Sequence, residues 1–307
     1  IYILSLISAL VILTKPSDKN KISAGNSAQE TTDRASLKIS SIRKRTSGGT
    51  VALVEIYGPI RISSSRLSRG TANPERITRK LRNLASDKND VKAVVLRINS
   101  PGGTVAGVQE IYEEIMNLRK NGKIVVASMG DVAASGGYYI AAAADKIIAN
   151  PGTLTGSIGV IMELAQGEAL FKKIGVKFET VKSGRYKDTG SWSREITSEE
   201  KQILQTLIND AYSQFVQAIA DGRKIPRDEV LKFADGRIFT GAQAKALGIV
   251  DELGSKTDAI YMAAALAGAM GGGQEPSGSG AGRLQWLAAV QAESPKNTAA
   301  SGHALRE

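Results

Sequence analysis

The sequence has no cysteine and only one histidine, and these two shortages narrow the chemistry open to it. The absence of cysteine among 307 residues excludes disulfide bonds, zinc–thiolate clusters and cysteine nucleophiles. His303 lies in a polar stretch five residues from the C-terminus, whereas a Ser-His-Asp triad or an H-E-x-x-H zinc site needs a histidine inside the fold. If the chain is a hydrolase, Lys, Asp, Glu or Tyr must therefore transfer the protons.

Aromatic residues are also scarce, at 5%, while 42% of the residues are hydrophobic and 23% are charged. This balance is typical of a globular protein with a sizeable core. The net charge is +10, and half of it comes from the segment 15–45, with eight basic and three acidic residues. Because no aromatic residue interleaves these charges, the pattern disfavours nucleic-acid binding and indicates a solvated linker.

The first residues, Ile1–Leu13, form an apolar run interrupted only by two serines. A helix needs about 20 residues to cross a bilayer. Because the chain starts with Ile rather than Met, we interpret this run as a truncated membrane anchor or signal segment. A buried helix is the alternative, and the basic segment that follows is typical of a cytoplasmic flank.

Composition divides the rest of the chain into three parts. Residues 14–48 are polar and basic and predict a linker, and residues 49–268 carry the periodic apolar patterns of a folded domain. From residue 269 onwards the chain is expected to form a flexible Gly-rich tail. Within the tail, Leu284–Val290 is a short apolar patch that could dock onto the domain.

Strand-like and helix-like segments alternate through the predicted domain. Each predicted strand is a nearly continuous apolar run, which is typical of a parallel sheet covered by helices on both faces. The predicted strands are Val51–Ile56, Val91–Ile98, Ile124–Met129, Lys146–Ala149 and Phe178–Val181. The predicted helices are Asn73–Ser86, Val105–Leu118, Ser135–Ala144 and a long helix opened by a capping box at Thr197–Glu200.

Glycine-rich turns follow three of these strands. Asn99–Gly103 places two glycines after a proline, a pattern that either makes a tight turn or exposes backbone amides to an oxyanion. Ser135 stands before two glycines where a helix begins, so it is either an N-cap serine or a nucleophile. The third turn, Thr155–Gly159, is uninformative alone.

A polar loop, Lys182–Asp188, follows the predicted strand at Phe178. It is either a solvated surface loop or the source of a general base. A lysine can accept a proton only if a desolvated pocket lowers its pKa from about 10.4 towards the working pH.

Taken together, these motifs resemble the signal peptide peptidase SppA family, of the short, single-repeat type. The resemblance extends from Val51 to Ala267 and is strongest in INSPGG (98–103), in the run from Gly130 to Ile161, and in GRYKD (184–188). It implies an α/β protein with the ClpP/crotonase-like fold, built of repeated β-β-α units with a parallel sheet covered by helices.

The resemblance also implies the site residues. The family's nucleophile falls on Ser135 and its general base on Lys187, with Ser157 holding that lysine in place. The oxyanion amides are expected from Gly102 first, then Gly103, with Gly136 as a further candidate. A Ser/Lys dyad agrees with the lack of a usable histidine.

By the same resemblance, the chain is expected to be a membrane-associated serine endopeptidase that cleaves apolar peptides such as remnant signal peptides. Its active sites would be shared between the subunits of a ring-shaped homo-oligomer. It would lie at the bacterial cell membrane, anchored at its N-terminus, with the catalytic domain on the extracytoplasmic side. No metal or organic cofactor and no nucleic-acid partner are expected. Two alternatives stay open: a crotonase-type acyl-CoA enzyme on the same fold, and a membrane scaffold without catalysis.

Overall fold

A computed structural model describes residues 44–46, 49–62, 70–86 and 90–268. The predicted N-terminal anchor 1–13 and the Gly-rich tail, with its apolar patch, lie outside these residues. The strands are β1 Lys44–Thr46, β2 Gly49–Tyr57, β3 Val91–Ser100, β4 Ile124–Ala134, β5 Lys146–Ala149, β6 Leu154–Gly156, β7 Ile238–Thr240 and β8 Glu252–Leu253. The helices are α1 Pro74–Ala85, α2 Val105–Lys120, α3 Gly136–Ala142, α4 Glu168–Lys173, α5 Ser198–Arg223, α6 Arg227–Leu231, α7 Gly241–Ala246 and α8 Lys256–Leu266.

The strands form one mostly parallel sheet. Strands β2, β3, β4, β5 and β8 are neighbours in that order and run parallel, and β1 adds an antiparallel edge from within the predicted linker. Near its end, β4 also pairs with β6, which carries β7 on its other side. This arrangement confirms the expected α/β class with a parallel sheet and helices.

Helices cover the central strands on both faces of the sheet. Side chains alternate along each strand, so successive residues of a strand contribute to different faces. Val94 and Leu96 of β3 belong to the larger core, together with Ile111 of α2. Val95, between them, points to the opposite face and shares a second core with Met262 of α8. The continuous apolar runs of the sequence are therefore explained by burial on two sides.

Helix α5 begins at the predicted capping box. The Thr197 hydroxyl accepts a hydrogen bond from the Glu200 amide at 3.2 Å, and the Glu200 carboxylate accepts one from the Thr197 amide at 2.9 Å. The apolar stripe of α5 is buried only in its C-terminal half: Phe215 is 2% exposed, whereas Ile203 and Leu207 are 39% and 56% exposed. The first half of α5 thus extends beyond the core of the single chain.

The predicted strand at Phe178–Val181 is wrong. These residues have no regular secondary structure and pair with no described strand. The Phe178 ring packs instead against Phe171 and Trp192, with centroids 4.7 and 5.7 Å away, and Val181 is 96% exposed. An apolar run forms a strand only where a neighbouring strand edge is free to pair with it.

Among the described residues, no helix has the length and the apolar character needed to cross a bilayer.

Candidate active site

The site lies where β3 and β4 end side by side at the carboxyl edge of the sheet. The two strands pair through Ser100 and Ala133, so the turn after β3 meets the residue after β4, which is Ser135. The contact is close: a Cβ atom added to Gly102 would lie 2.9 Å from Ser135 Cβ and 2.6 Å from the Gly136 nitrogen. Only glycine fits at position 102, where φ is also +101°.

Ser135 has an unusual backbone conformation, with φ +53° and ψ −122°. Residues other than glycine rarely adopt a positive φ, and such conformations are concentrated at functional sites. The Ser135 amide donates to the Gly156 carbonyl at 2.8 Å, and its carbonyl accepts from the Tyr139 amide at 2.9 Å. The hydroxyl does not cap α3, and the side chain is partly exposed between buried neighbours. Ser135 therefore occupies the N-cap position of α3 without making the side-chain hydrogen bond of a capping serine.

Backbone amides surround the Ser135 side chain. The Gly102 amide, which the resemblance ranked first, already donates to the Ser100 hydroxyl at 3.2 Å. The amides of Gly103 and Gly136 have no acceptor among the described residues, and the Gly103 nitrogen lies 3.2 Å from the position of a Cβ added to Gly136. Within the described chain, the Gly103 and Gly136 amides are therefore free to donate to a bound group, whereas the Gly102 amide is already engaged.

Ser157 follows the strand that pairs with the end of β4. Its φ is +51°, the second positive value at a serine of this site, and its amide donates to the Arg237 carbonyl at 2.8 Å. The Gly156 carbonyl accepts a hydrogen bond from the Ser135 amide, and Ser157 is the next residue after Gly156. Sheet pairing thus brings Ser135, Ser157 and the glycine turn together.

The two lysines of the 182–188 loop, Lys182 and Lys187, differ in their hydrogen-bond and ion-pair partners. Lys182 Nζ lies 2.6 Å from Asp188 Oδ1 and donates to the Arg185 carbonyl at 3.0 Å. A carboxylate and a backbone carbonyl therefore already engage the Lys182 ammonium group. Lys187 is exposed, and its Nζ contacts no hydrogen-bond or ion-pair partner in the described part of the chain. The single chain does not join Lys187 Nζ to the hydroxyl of Ser135 or of Ser157.

An ion network that sequence reasoning missed anchors this loop. Arg194 bridges the carboxylates of Asp188 and Glu200. Hydrogen bonds from Arg194 hold the pKa of Asp188 well below its usual range and lower the pKa of Glu200 to about 2. The same two carboxylates raise the pKa of the Arg194 guanidinium. The capping box at Thr197 marked Glu200 in the sequence, but no pattern marked its partner across the loop.

The segment on either side of the lysine loop exposes large apolar side chains. Ile161 is 81% exposed, Ile174 61% and Trp192 56%, in addition to Val181. Exposed apolar side chains concentrated in one segment are typical of an interaction surface.

Comparisons with known proteins place these features in a family. The family model described as Peptidase family S49 matches residues 117–270, half of the chain, and a Clp protease model matches residues 64–154. A candidate protease of Synechocystis sp. is 53% identical over 176 residues, covering 57% of this chain and 63% of its own length. Protease 4 of Haemophilus influenzae is 39% identical over 213 residues, covering 69% and 34% respectively.

A plant protein and a solved structure also match. The chloroplastic serine protease SPPA of Arabidopsis thaliana is 36% identical over 234 residues, covering 74% of this chain and 34% of its own. A ClpP1 mutant from Listeria monocytogenes aligns with 22% identity and a TM-score of 0.44, covering 68% of this chain and 94% of that one. The chain spans less than two thirds of the length of these curated relatives. The family model and the curated relatives confirm the resemblance to the SppA family.

Proposed function

This chain belongs to peptidase family S49, and on that premise we propose that it is a serine endopeptidase with Ser135 as nucleophile and Lys187 as general base. The observation that carries the proposal is the conformation of Ser135. Its positive φ presents a hydroxyl that caps no helix beside two amides that lack acceptors in the described chain, those of Gly103 and Gly136. Strain of this kind costs about 1–3 kcal/mol and persists where function requires it.

The chemistry is acyl transfer. The neutral amine of Lys187 takes the proton of Ser135, and the alkoxide attacks the peptide carbonyl. The amides of Gly103 and Gly136 stabilise the negative charge that develops on the carbonyl oxygen. Lys187, now charged, protonates the leaving amine, and water hydrolyses the acyl-enzyme with the same lysine as base. Ser157 holds the lysine in place in this scheme.

We further propose that the active site is completed between the subunits of a ring-shaped homo-oligomer. In the single chain Lys187 is exposed and makes no bond to Ser135, so its own fold does not supply the desolvated pocket that a neutral lysine needs. The exposed apolar side chains of the segment around Lys187 are suited to packing against a neighbouring copy. Such a neighbour would cover the lysine and bring a serine to it.

The proposed substrates are apolar peptides in extended conformation, such as remnant signal peptides, met at a bacterial membrane. The surroundings of Ser135 are small and apolar: Ala133 and Ala134 are buried, and a Cβ on Gly136 would lie 2.5 Å from a Val108 methyl group. This lining favours small side chains next to the scissile bond. Membrane association through the N-terminal segment, with the catalytic domain on the extracytoplasmic side, belongs to the same proposal.

The test is labelling of the full chain with a fluorophosphonate, which phosphonylates active serines with loss of fluoride, followed by mapping of the modified residue. We expect the label on Ser135, and we expect Ser135→Ala and Lys187→Ala each to abolish cleavage of an apolar peptide while the thermal unfolding midpoint is retained. Thioester hydrolysis that survives Ser135→Ala would overturn the proposal in favour of an acyl-CoA enzyme. Absence of labelling and of peptide cleavage in the assembled protein would leave only the scaffold role.

A further inference from the structure

We propose that Arg194 is a positioning residue for the general base, which fixes the turn carrying Lys187 to the start of α5. This inference rests on the proposed function, because Lys187 needs accurate placement only if it acts as the base. Nothing in the chemistry above assigns a role to Arg194, which lies seven residues beyond the lysine in sequence.

Arg194 binds both the side chain and the backbone of Asp188, the residue next to Lys187. Its Nε and Nη2 donate to the two Asp188 carboxylate oxygens at 3.0 and 2.9 Å, and Nη2 also donates to the Asp188 carbonyl at 3.1 Å. The Ser191 amide donates to that carbonyl as well, at 3.0 Å. A forked guanidinium contact of this kind fixes orientation as well as distance. The peptide unit that follows Asp188, one residue beyond Lys187, is therefore held from two sides.

The other face of the guanidinium reaches helix α5. Arg194 Nη1 donates to Glu200 Oε2 at 2.9 Å and to the Glu195 carbonyl at 2.9 Å. Glu200 is only 3% exposed, and its carboxylate also closes the capping box with Thr197. A buried carboxylate with these partners is a rigid anchor, so Arg194 links the lysine turn to an element that is itself firmly held.

Helix α5 leads back to the nucleophile. Phe215 of α5 stacks on Tyr139 of α3 with ring centroids 4.8 Å apart, and Ser135 immediately precedes α3. Elements in contact with one another therefore connect Ser135 with the Lys187 turn of the same polypeptide. The position of the lysine turn relative to Ser135 of the same chain is then set by the fold.

Arg194 also keeps Asp188 from capturing the adjacent lysine. The Asp188 carboxylate is engaged by Arg194 and Lys182, and the remaining charged groups of the turn, Arg185 and Glu199, pair with each other. If Arg194 were removed, the Asp188 carboxylate would keep only Lys182 as a charged partner, and it would stand one residue from the Lys187 ammonium. A nearby carboxylate favours the charged form of a lysine, which cannot act as a base.

The experiment measures the rate of Ser135 phosphonylation by a fluorophosphonate, as a function of pH, in the full assembled chain. In Arg194→Met we expect the rate near neutral pH to fall about 10- to 100-fold, the size of loss that misplaced groups cause. We also expect the pH of half-maximal rate to rise, because the charged lysine is stabilised. Arg194→Lys keeps a positive charge between the carboxylates without the fork, so its rate and midpoint should lie between those of Arg194→Met and the wild type.

The matched control is Arg82→Met, which removes an arginine from an ion pair with Glu114 on α1 and α2, apart from the site. It should leave the rate and the pH midpoint unchanged. A wild-type rate in Arg194→Met, or a lower rate with an unshifted midpoint, would overturn the positioning role. If Arg194→Met does not fold, the midpoint of Arg194→Lys decides the matter: a shift supports the role, and no shift overturns it.

The outcome separates this inference from the proposed function. Labelling of Ser135 that depends on Lys187 but is indifferent to Arg194 overturns the positioning role and leaves the peptidase standing. Labelling that is absent in the wild type, or indifferent to Lys187→Ala, overturns both.

Discussion

Replacing Gly102 by alanine tests the packing of the oxyanion turn against the nucleophile. The added methyl group would lie 2.6 Å from the Gly136 nitrogen, 2.9 Å from Ser135 Cβ and 3.1 Å from the Ala134 carbonyl oxygen. Two of these three atoms are backbone, so the turn and the nucleophile must separate. A displacement of about 1 Å is enough to cost about 100-fold in rate, which corresponds to about 2.7 kcal/mol of activation free energy.

Gly102→Ala also lowers the free energy of unfolding through its backbone conformation, and this contribution can be measured separately. At a positive φ, a residue with a Cβ destabilises the folded state by about 1–2 kcal/mol. Alanine also restricts the unfolded chain more than glycine does, which offsets about 0.4–1 kcal/mol of this loss. Gly122 provides the control, because its φ is +71° and no atom of the described chain lies within 4 Å of its added Cβ. Gly122→Ala should therefore lose about 1 kcal/mol of unfolding free energy and keep full activity.

The assay combines urea unfolding with the rate of Ser135 labelling. Gly102→Ala should be less stable than Gly122→Ala and should label about 100-fold more slowly than the wild type. If Gly102→Ala labels at the wild-type rate, the turn does not hold the nucleophile and the assignment of the oxyanion amides beside it is wrong. A loss of activity in Gly122→Ala equal to that in Gly102→Ala would likewise refute the reasoning, because no contact reaches the site from there.

Three further predictions follow from the site. Mixing Ser135→Ala with Lys187→Ala subunits should restore up to about one quarter of the wild-type rate if each site joins two subunits, and should restore none if each chain uses its own pair. Lys182→Met should keep a labelling rate within about tenfold of wild type, because Lys182 is tied to Asp188, whereas a loss as complete as in Lys187→Met would move the base to Lys182. Arg194 lowers the pKa of Glu200 to about 2, so the stability that the Glu200 carboxylate contributes is fully present above pH about 4.3 and is lost as the pH falls towards 2. The free energy of unfolding in urea should therefore fall less steeply with decreasing pH in Glu200→Gln than in the wild type, and an equally steep fall in both would contradict this.

The main elements of the fold were predictable because they bury apolar side chains at a regular period. The runs at Val91–Ile98 and Lys146–Ala149 lie in the sheet almost residue for residue as predicted. The run at Phe178–Val181 has the same composition but meets no strand edge, and its phenylalanine packs on Trp192 instead. Local patterns carry propensity, whereas pairing depends on which edges the rest of the fold leaves free.

The site was predictable to the extent that it is built from backbone turns. Paired glycines and Pro101 predicted a turn with exposed amides, but no sequence pattern indicated that the Ser100 hydroxyl accepts a hydrogen bond from the Gly102 amide. The positive φ of Ser135 has no sequence signal of its own, since it arises from the way the β4 end meets the turn of β3. Arg194 was missed for a similar reason, because its two partners are joined to it only through the folded loop.

The chemistry of the lysine and the assembly of the chain are one physical problem. A lysine that acts as a general base needs a site shielded from water, and Lys187 is exposed in the single chain. The side chains Ile161, Val181 and Trp192 belong to the same exposed segment, and their apolar surface gains most by being covered. A neighbour that packs on them also excludes water from the turn and lowers the dielectric around the amine, which favours its neutral form. The same burial would drive association and complete the site that we propose, because a lone subunit presents Ser135 and the neighbouring amides but leaves Lys187 exposed.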